Sequence, residues 1–135
     1  MDSEPVNRPE VMAEVQLAFD RYEAALLEND AATLDSFFWQ DSRTLRYGIA
    51  EHGLGIDAIR RSRARIAPVH PARQLQGTLI TTFGNDSASV CTEFTAPDTP
   101  LLGRQTQTWI RFGMDWKIVA AHVSLVDPTS LSLYL

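Results

Sequence analysis

The chain has a single cysteine, Cys91, in 135 residues, so no internal disulfide framework can staple it and a reducing compartment is expected. It has no HExxH or CxxC spacing. His52, His70 and His122 stand far apart and the carboxylates do not recur at ligand intervals, so no metal site is expected. Gly53-Leu54-Gly55 lacks the remainder of a dinucleotide or phosphate-loop fingerprint and reads as turn chemistry. No apolar run approaches membrane-spanning length. The opening Met1-Asp2-Ser3-Glu4-Pro5 is acidic rather than apolar, so no signal peptide is expected and the cytoplasm is the default location. No charge block, low-complexity run or repeat marks a linker, and the formal charge of -5 argues against a nucleic-acid partner.

What is present is enough apolar material, 44% of residues, for one core, and residues 1-135 read as a single domain. Asn7 and Glu10 have the spacing of a capping box, with Pro9 tolerated in the first turn, and predict a helix running to about Glu28. Val11, Val15, Ala18, Phe19, Tyr22, Ala25 and Leu26 form its inward stripe. Tyr22 is the polar-tipped member of that stripe, so its hydroxyl must find a buried partner or project into a cavity. Asp30 is placed to cap a short second helix containing Leu34, Phe37 and Phe38, and Thr44 to Ile49 reads as a strand. After the glycines at 53 and 55, a third helix begins at or just before Asp57 and is ended by Pro68 and Pro71.

Four strands follow: Leu75 to Phe83, Ala88 to Thr95, Arg104 to Phe112, and Trp116 to Leu125. Cys91 lies in the second of these and reads as a buried or half-buried thiol. Helix, helix, strand, helix and a four-stranded meander predict an α+β domain in which three N-terminal helices pack on a curved, mainly antiparallel sheet, a cone-shaped domain enclosing a cavity. In the last strand, strict alternation puts Trp116, Ile118, Ala120, His122 and Ser124 on one face and Val119, Ala121, Val123 and Leu125 on the other. A pocket is expected to open beside His122 and Ser124. Because both faces then look apolar, a second layer is expected, most simply a homodimer through the convex sheet face.

Tyr22 and His122 are the candidate proton-handling groups. Arg46 alternates with Leu45 and Tyr47; inside, its permanent charge demands an anion, and a carboxylate suits its fork, while an internal salt bridge or a surface position are the other readings. Gln105, Gln107, Trp109 and Arg111 share one face of their strand and Thr106, Thr108, Ile110 and Phe112 the other, so Gln107 and Trp109 line the cavity only if their face turns inward. Arg60, Arg61, Arg63, Arg65 and Arg73 form either a solvated helix face or an anion-attracting rim.

The long first helix, Gly55-Ile56-Asp57-Ala58-Ile59-Arg60 and the ending Trp116 to Ser124 resemble the nuclear-transport-factor-2-like superfamily, with its SnoaL-like cyclases, ketosteroid isomerase and scytalone dehydratase, over roughly residues 8 to 126. Phe37-Phe38-Trp39, Leu45-Arg46-Tyr47-Gly48, Glu51-His52-Gly53 and Gly103-Arg104-Gln105-Thr106-Gln107-Thr108-Trp109 are similar to a narrower subgroup, small proteins encoded beside amidase-signature enzymes of oxalurate and s-triazine catabolism. That likeness implies decarboxylation of 1,3-dicarboxyurea to allophanate in cyanuric acid breakdown, without a cofactor. Tyr22, Arg46 and His122 would then be catalytic, and Trp109, Gln107 and Ser124 would complete a site for a small anionic ureido acid. Two other roles fit the same residues: a noncatalytic binding protein or accessory subunit associated with an amidase, and a ureido-acid amidohydrolase.

Overall fold

The computed structural model describes residues 5-132, and the acidic opening Met1 to Glu4 lies outside them. Helix α1 spans Pro9–Leu27 and buries Val11, Val15, Phe19, Tyr22 and Ala25, the stripe expected from its periodicity, together with Glu23. Its start differs from expectation. Arg8 occupies the N-cap position without a side-chain cap bond, because Asn7 is used elsewhere: its Oδ1 accepts from Thr82 N at 2.9 Å and its N–H donates to Thr82 O at 3.0 Å. The residue that looked like a cap instead ties the chain to a strand, and Pro9 supplies the helical first turn by its fixed φ.

Helix α2, Ala31–Ser36, begins at the expected cap, with Asp30 Oδ1 accepting from Thr33 N at 3.2 Å. It ends before the aromatic pair. Phe37 is the C-cap, and Phe37 to Trp39 run beside the last strand, where Ile118 N donates to Phe37 O and Trp39 N donates to Ile118 O. Strand β1 (Leu45–Tyr47) and a short strand β2 (His52–Leu54), where only a glycine turn was expected, precede helix α3 (Ile56–Arg63). Strands β3 (Gln74–Phe83), β4 (Ser87–Ala96), β5 (Thr99–Phe112) and β6 (Asp115–Val126) follow. The six strands form one mixed sheet in the order β2-β1-β6-β5-β4-β3, in which β1 runs parallel to β6 and the other pairs are antiparallel.

One irregularity decides which side chains face the helices. Trp109 pairs with Ile118 but Thr108 pairs with Ala120, so Val119 is an extra residue in β6. A bulge of this kind reverses alternation beyond it. Trp116 and Ile118 therefore share the inner face with Ala121, Val123 and Leu125, while Ala120, His122 and Ser124 turn outward. The sequence reading, which assumed unbroken alternation, is corrected on this point. The apolar side chains of β6 gather on one face, and the outer face is small and polar.

The core sits between α1, α2, α3 and that inner face, and includes Phe19, Leu34, Phe38, Ile59, Val90, Trp109 and Ile118. Trp109 has no exposed surface, and truncating such a residue to alanine typically costs about 3-5 kcal/mol. Among the described residues no helix is long and apolar enough to cross a membrane.

Candidate active site

A cavity of about 550 Å³ opens between the helices and the inner sheet face, walled by Tyr22 of α1, Arg46 of β1, Arg63 of α3, Arg73, Phe94 of β4, and Val123 and Leu125 of β6. Four arginines reach it, with Arg65 the fourth, against the carboxylates of Glu51 and Asp98. Tyr22 stands edge-to-face with Phe37, Phe38 and Trp109, at centroid distances of 6.0, 6.4 and 6.3 Å. This aromatic clamp fixes the ring at a favourable geometry and leaves the hydroxyl at the cavity, with no hydrogen bond to the described residues. Burial pushes the Tyr22 pKa above the usual 10.0; Arg63 and Arg46 pull against it, Glu23 adds to it, and Arg73 opposes it. The phenol therefore keeps its proton at neutral pH.

Arg46 faces inward because it pairs with Ala121, beyond the bulge. Its side chain is 13% exposed, and its Nη1 lies 3.5 Å from Glu51 Oε1, a long ion pair. Gly48 makes room for that pair: a Cβ there would meet Glu51 Oε1 at 2.5 Å and Arg46 Nη1 at 2.7 Å. Arg73 is held through Nε and Nη2. Its Nε donates to Glu23 Oε1 at 3.2 Å, its Nη2 donates to Glu23 Oε2 and Gln105 Oε1, and the guanidinium lies 3.9 Å from the centre of the Phe94 ring. That ring in turn lies across Gly103, where a Cβ would stand 2.1 Å from Phe94 Cζ. Arg63 donates from Nε to Asp35 Oδ1 at 2.8 Å, while its Nη2 is buried without a partner.

The structure thus brings Tyr22 and Arg46 together at the cavity and leaves Gln107, Trp109, His122 and Ser124 off its wall. Gln107 and Trp109 do face inward but lie behind the wall, both buried, with Trp109 Nε1 donating to Gln107 Oε1 at 3.0 Å. They support Tyr22 rather than contact the cavity. His122 and Ser124 stand on the opposite sheet face, for the reason given by the bulge, and His122 is exposed. Among the described residues no cluster of three or more His, Cys, Asp or Glu could hold a metal ion. Cys91 is half-buried and free.

Sequence reading missed Glu23 and did not decide between rim and solvated face for the arginines. The signal for Glu23 was its place four residues after Phe19 and eight after Val15, the i, i+4 row of the buried stripe. A carboxylate in that row needs an internal cation, which Arg73 supplies.

Helices α1, α2 and α3 against a mixed six-stranded sheet, with a charged cavity between them, place the chain in the α+β class called cystatin-like or nuclear-transport-factor-2-like. Its crystal structures include a cystatin-like fold protein from Burkholderia xenovorans LB400, 54% identical with a TM-score of 0.87, the match covering 90% of this chain and 95% of that one. A protein of unknown function from the DUF3225 family of Pectobacterium atrosepticum SCRI1043 is 47% identical with a TM-score of 0.88, over 93% and 98% of the two chains. An NTF2-like protein of unknown function from Pseudomonas putida KT2440 shares the fold at 16% identity, with a TM-score of 0.70 and coverage of 90% and 92%. No curated protein matches the sequence. The AtzH-like family model matches residues 4–129, and the chain belongs to the AtzH-like family.

Proposed function

We propose that this protein decarboxylates 1,3-dicarboxyurea to allophanate without a cofactor, inside the cone-shaped enclosure beneath α1. The observation that carries the reading is the meeting of a buried, protonated Tyr22 with the inward-facing Arg46 at one cavity. The resemblance noted from the sequence supplies the substrate; the geometry supplies a way to act on it. Arg46 takes one carboxylate in a charge-assisted fork, displacing its long contact with Glu51. At the other end the bond between nitrogen and the carboxylate carbon breaks, carbon dioxide leaves, and the electron pair stays on nitrogen and spreads to the urea oxygen. One proton, delivered from the Tyr22 hydroxyl and restored from solvent, completes allophanate. Tight surroundings such as Leu26, Leu34 and Val123 strip water from the departing carboxylate, and the nearby guanidinium groups stabilise charge as it develops.

The proposal includes a cytoplasmic protein and a homodimer formed through the outer sheet face. That face carries the small side chains of Thr106, Thr108, Ala120 and Ser124, flanked by exposed Tyr47 and Leu79. Sedimentation at micromolar concentration would show a dimer mass or sink this part alone.

The reaction is tested by supplying purified protein with enzymatically generated 1,3-dicarboxyurea and following carbon dioxide, allophanate and ammonia together. Carbon dioxide and allophanate should appear faster than in the protein-free decay, and Tyr22→Phe should remove most of the acceleration, about 100-fold or more for loss of a proton donor. Ammonia release would identify an amidohydrolase. An unchanged rate would leave a binding or accessory role.

A further inference from the structure

Arg63 is the cavity-wall arginine that carries a buried donor without a partner. Its side chain is 10% exposed and, among the described residues, its ion-pair partner is Asp35, met through Nε at 2.8 Å. Nη2 is buried with no hydrogen-bond partner among the described residues, and the guanidinium carbon lies 5.7 Å from the centre of the Phe38 ring. A guanidinium never deprotonates in a protein, so it cannot escape this position by becoming neutral. Buried donors are almost always paired, so the unpartnered Nη2 leaves Arg63 with unused hydrogen-bonding capacity in a residue that lines the cavity. The two other inner arginines differ. Arg73 is held by Glu23, Gln105 and Phe94, and Arg46 has only its long contact with Glu51. Besides the exposed Arg65, the cavity therefore contains two largely buried guanidinium groups with donors to spare, on β1 and on α3, and both charges act on Tyr22.

We infer that Arg63 is the receptor for a second carboxylate and makes the cavity selective for short dianions over monoanions. This rests on the decarboxylase reading for its natural ligand but not for its test. The two receptors are unequal. Arg63 already shares its charge with Asp35 at 2.8 Å, whereas Arg46 and Glu51 are 3.5 Å apart. A symmetric diacid is consequently held more firmly at the Arg46 end, and the end at Arg63 is recognised without being locked in place. Such a difference would select which of two equivalent carboxylates departs.

Glutarate has the same five-atom backbone as dicarboxyurea and does not react, and its monoamide, glutaramate, has the same length with one carboxylate replaced by a neutral amide. Calorimetric titration of the intact protein should show glutarate binding about tenfold or more tighter than glutaramate, the discrimination expected of a hydrogen bond to a charged group. Arg63→Met should reduce that preference below about threefold while leaving glutaramate affinity nearly unchanged, and Arg46→Met should weaken both ligands. Thermal melts establish that the variants fold. Should Arg63→Met not fold, Arg63→Lys carries the test, since it keeps a charge for Asp35 but loses the fork; an undiminished preference in it would overturn the assignment. Equal binding of the two probes by the natural chain, or a full preference in folded Arg63→Met, would do the same. The two readings fail separately: an Arg63-dependent preference in a protein that releases no carbon dioxide sinks the reaction and keeps the receptor, and carbon dioxide release with no such preference does the reverse.

Discussion

Tyr47 and His122 meet edge-to-face with ring centroids 5.6 Å apart, on the sheet face turned away from the cavity. They are register partners across the parallel β1-β6 pair, and His52 adds a third ring 5.0 Å from Tyr47. A histidine in that position has no path to a ligand on the other side of the sheet. His122→Ala should therefore leave the rate of the proposed decarboxylation within about twofold of the natural chain, as surface substitutions away from special features do for stability. A loss of a hundredfold at unchanged melting temperature would show that the site lies on the outer face instead.

How far the sequence reveals this site can be judged from β6. Its position, its pairing with β5 and its apolar content all follow from residue pattern, because a strand of alternating side chains is a local signal. The facing of its second half does not. Val119 carries no glycine, proline or other mark of a bulge; the extra residue arises where one edge of β6 changes partner, from the Phe37 to Trp39 segment at Ile118 to β1 at Ala120. That is a tertiary cause. It moved His122 and Ser124 outward and brought Val123 and Leu125 to the cavity. Tyr22, by contrast, was legible because a helix stripe of period 3.6 fixes its direction without reference to any partner. Arg46 lay between the two cases: its strand was visible, and its side was set only by pairing with Ala121.

Arg46 offers a prediction that separates charge from shape. Its fork can bind a carboxylate through two parallel hydrogen bonds, and lysine can offer only a point charge at a different reach. Arg46→Met should lower kcat/KM about 10-100-fold, the range for a hydrogen bond to a charged group. Arg46→Lys should recover only part of that, with KM still raised. Full recovery by lysine in steady-state kinetics would mean that the two-pronged contact is not made.

The Glu23-Arg73 pair should matter first to stability. The side chains are 11% and 5% exposed, and removing one partner leaves the other as an uncompensated buried charge, at a typical cost of about 3-5 kcal/mol. Arg73→Met is expected to be the harsher change, since it also removes the contact with Phe94. Glu23→Gln keeps the shape and should cost less than Glu23→Ala. Urea unfolding curves measure each. If Arg73→Met lowers the unfolding free energy by less than about 1 kcal/mol, the pair is not the strut that holds Phe94 and Gln105 in place.

Tyr22 links the site to alkaline stability, and the sign follows from its environment. Burial, the largest influence, raises its pKa above 10.0, outweighing the opposing guanidinium groups of Arg63, Arg46 and Arg73. Above pH of about 10 the unfolded chain gives up the tyrosine proton while the folded chain retains it, so the folded state loses ground as pH rises. The stability associated with the buried phenol is fully present below the unfolded pKa and disappears between that value and the raised folded one. Tyr22→Phe has no proton to lose there. Unfolding free energies measured in urea from pH 8 to about 11 should therefore fall more steeply for the natural chain than for Tyr22→Phe. Parallel curves would mean that the Tyr22 hydroxyl titrates like a solvent-exposed phenol, which would remove the burial on which its proposed role as proton donor depends.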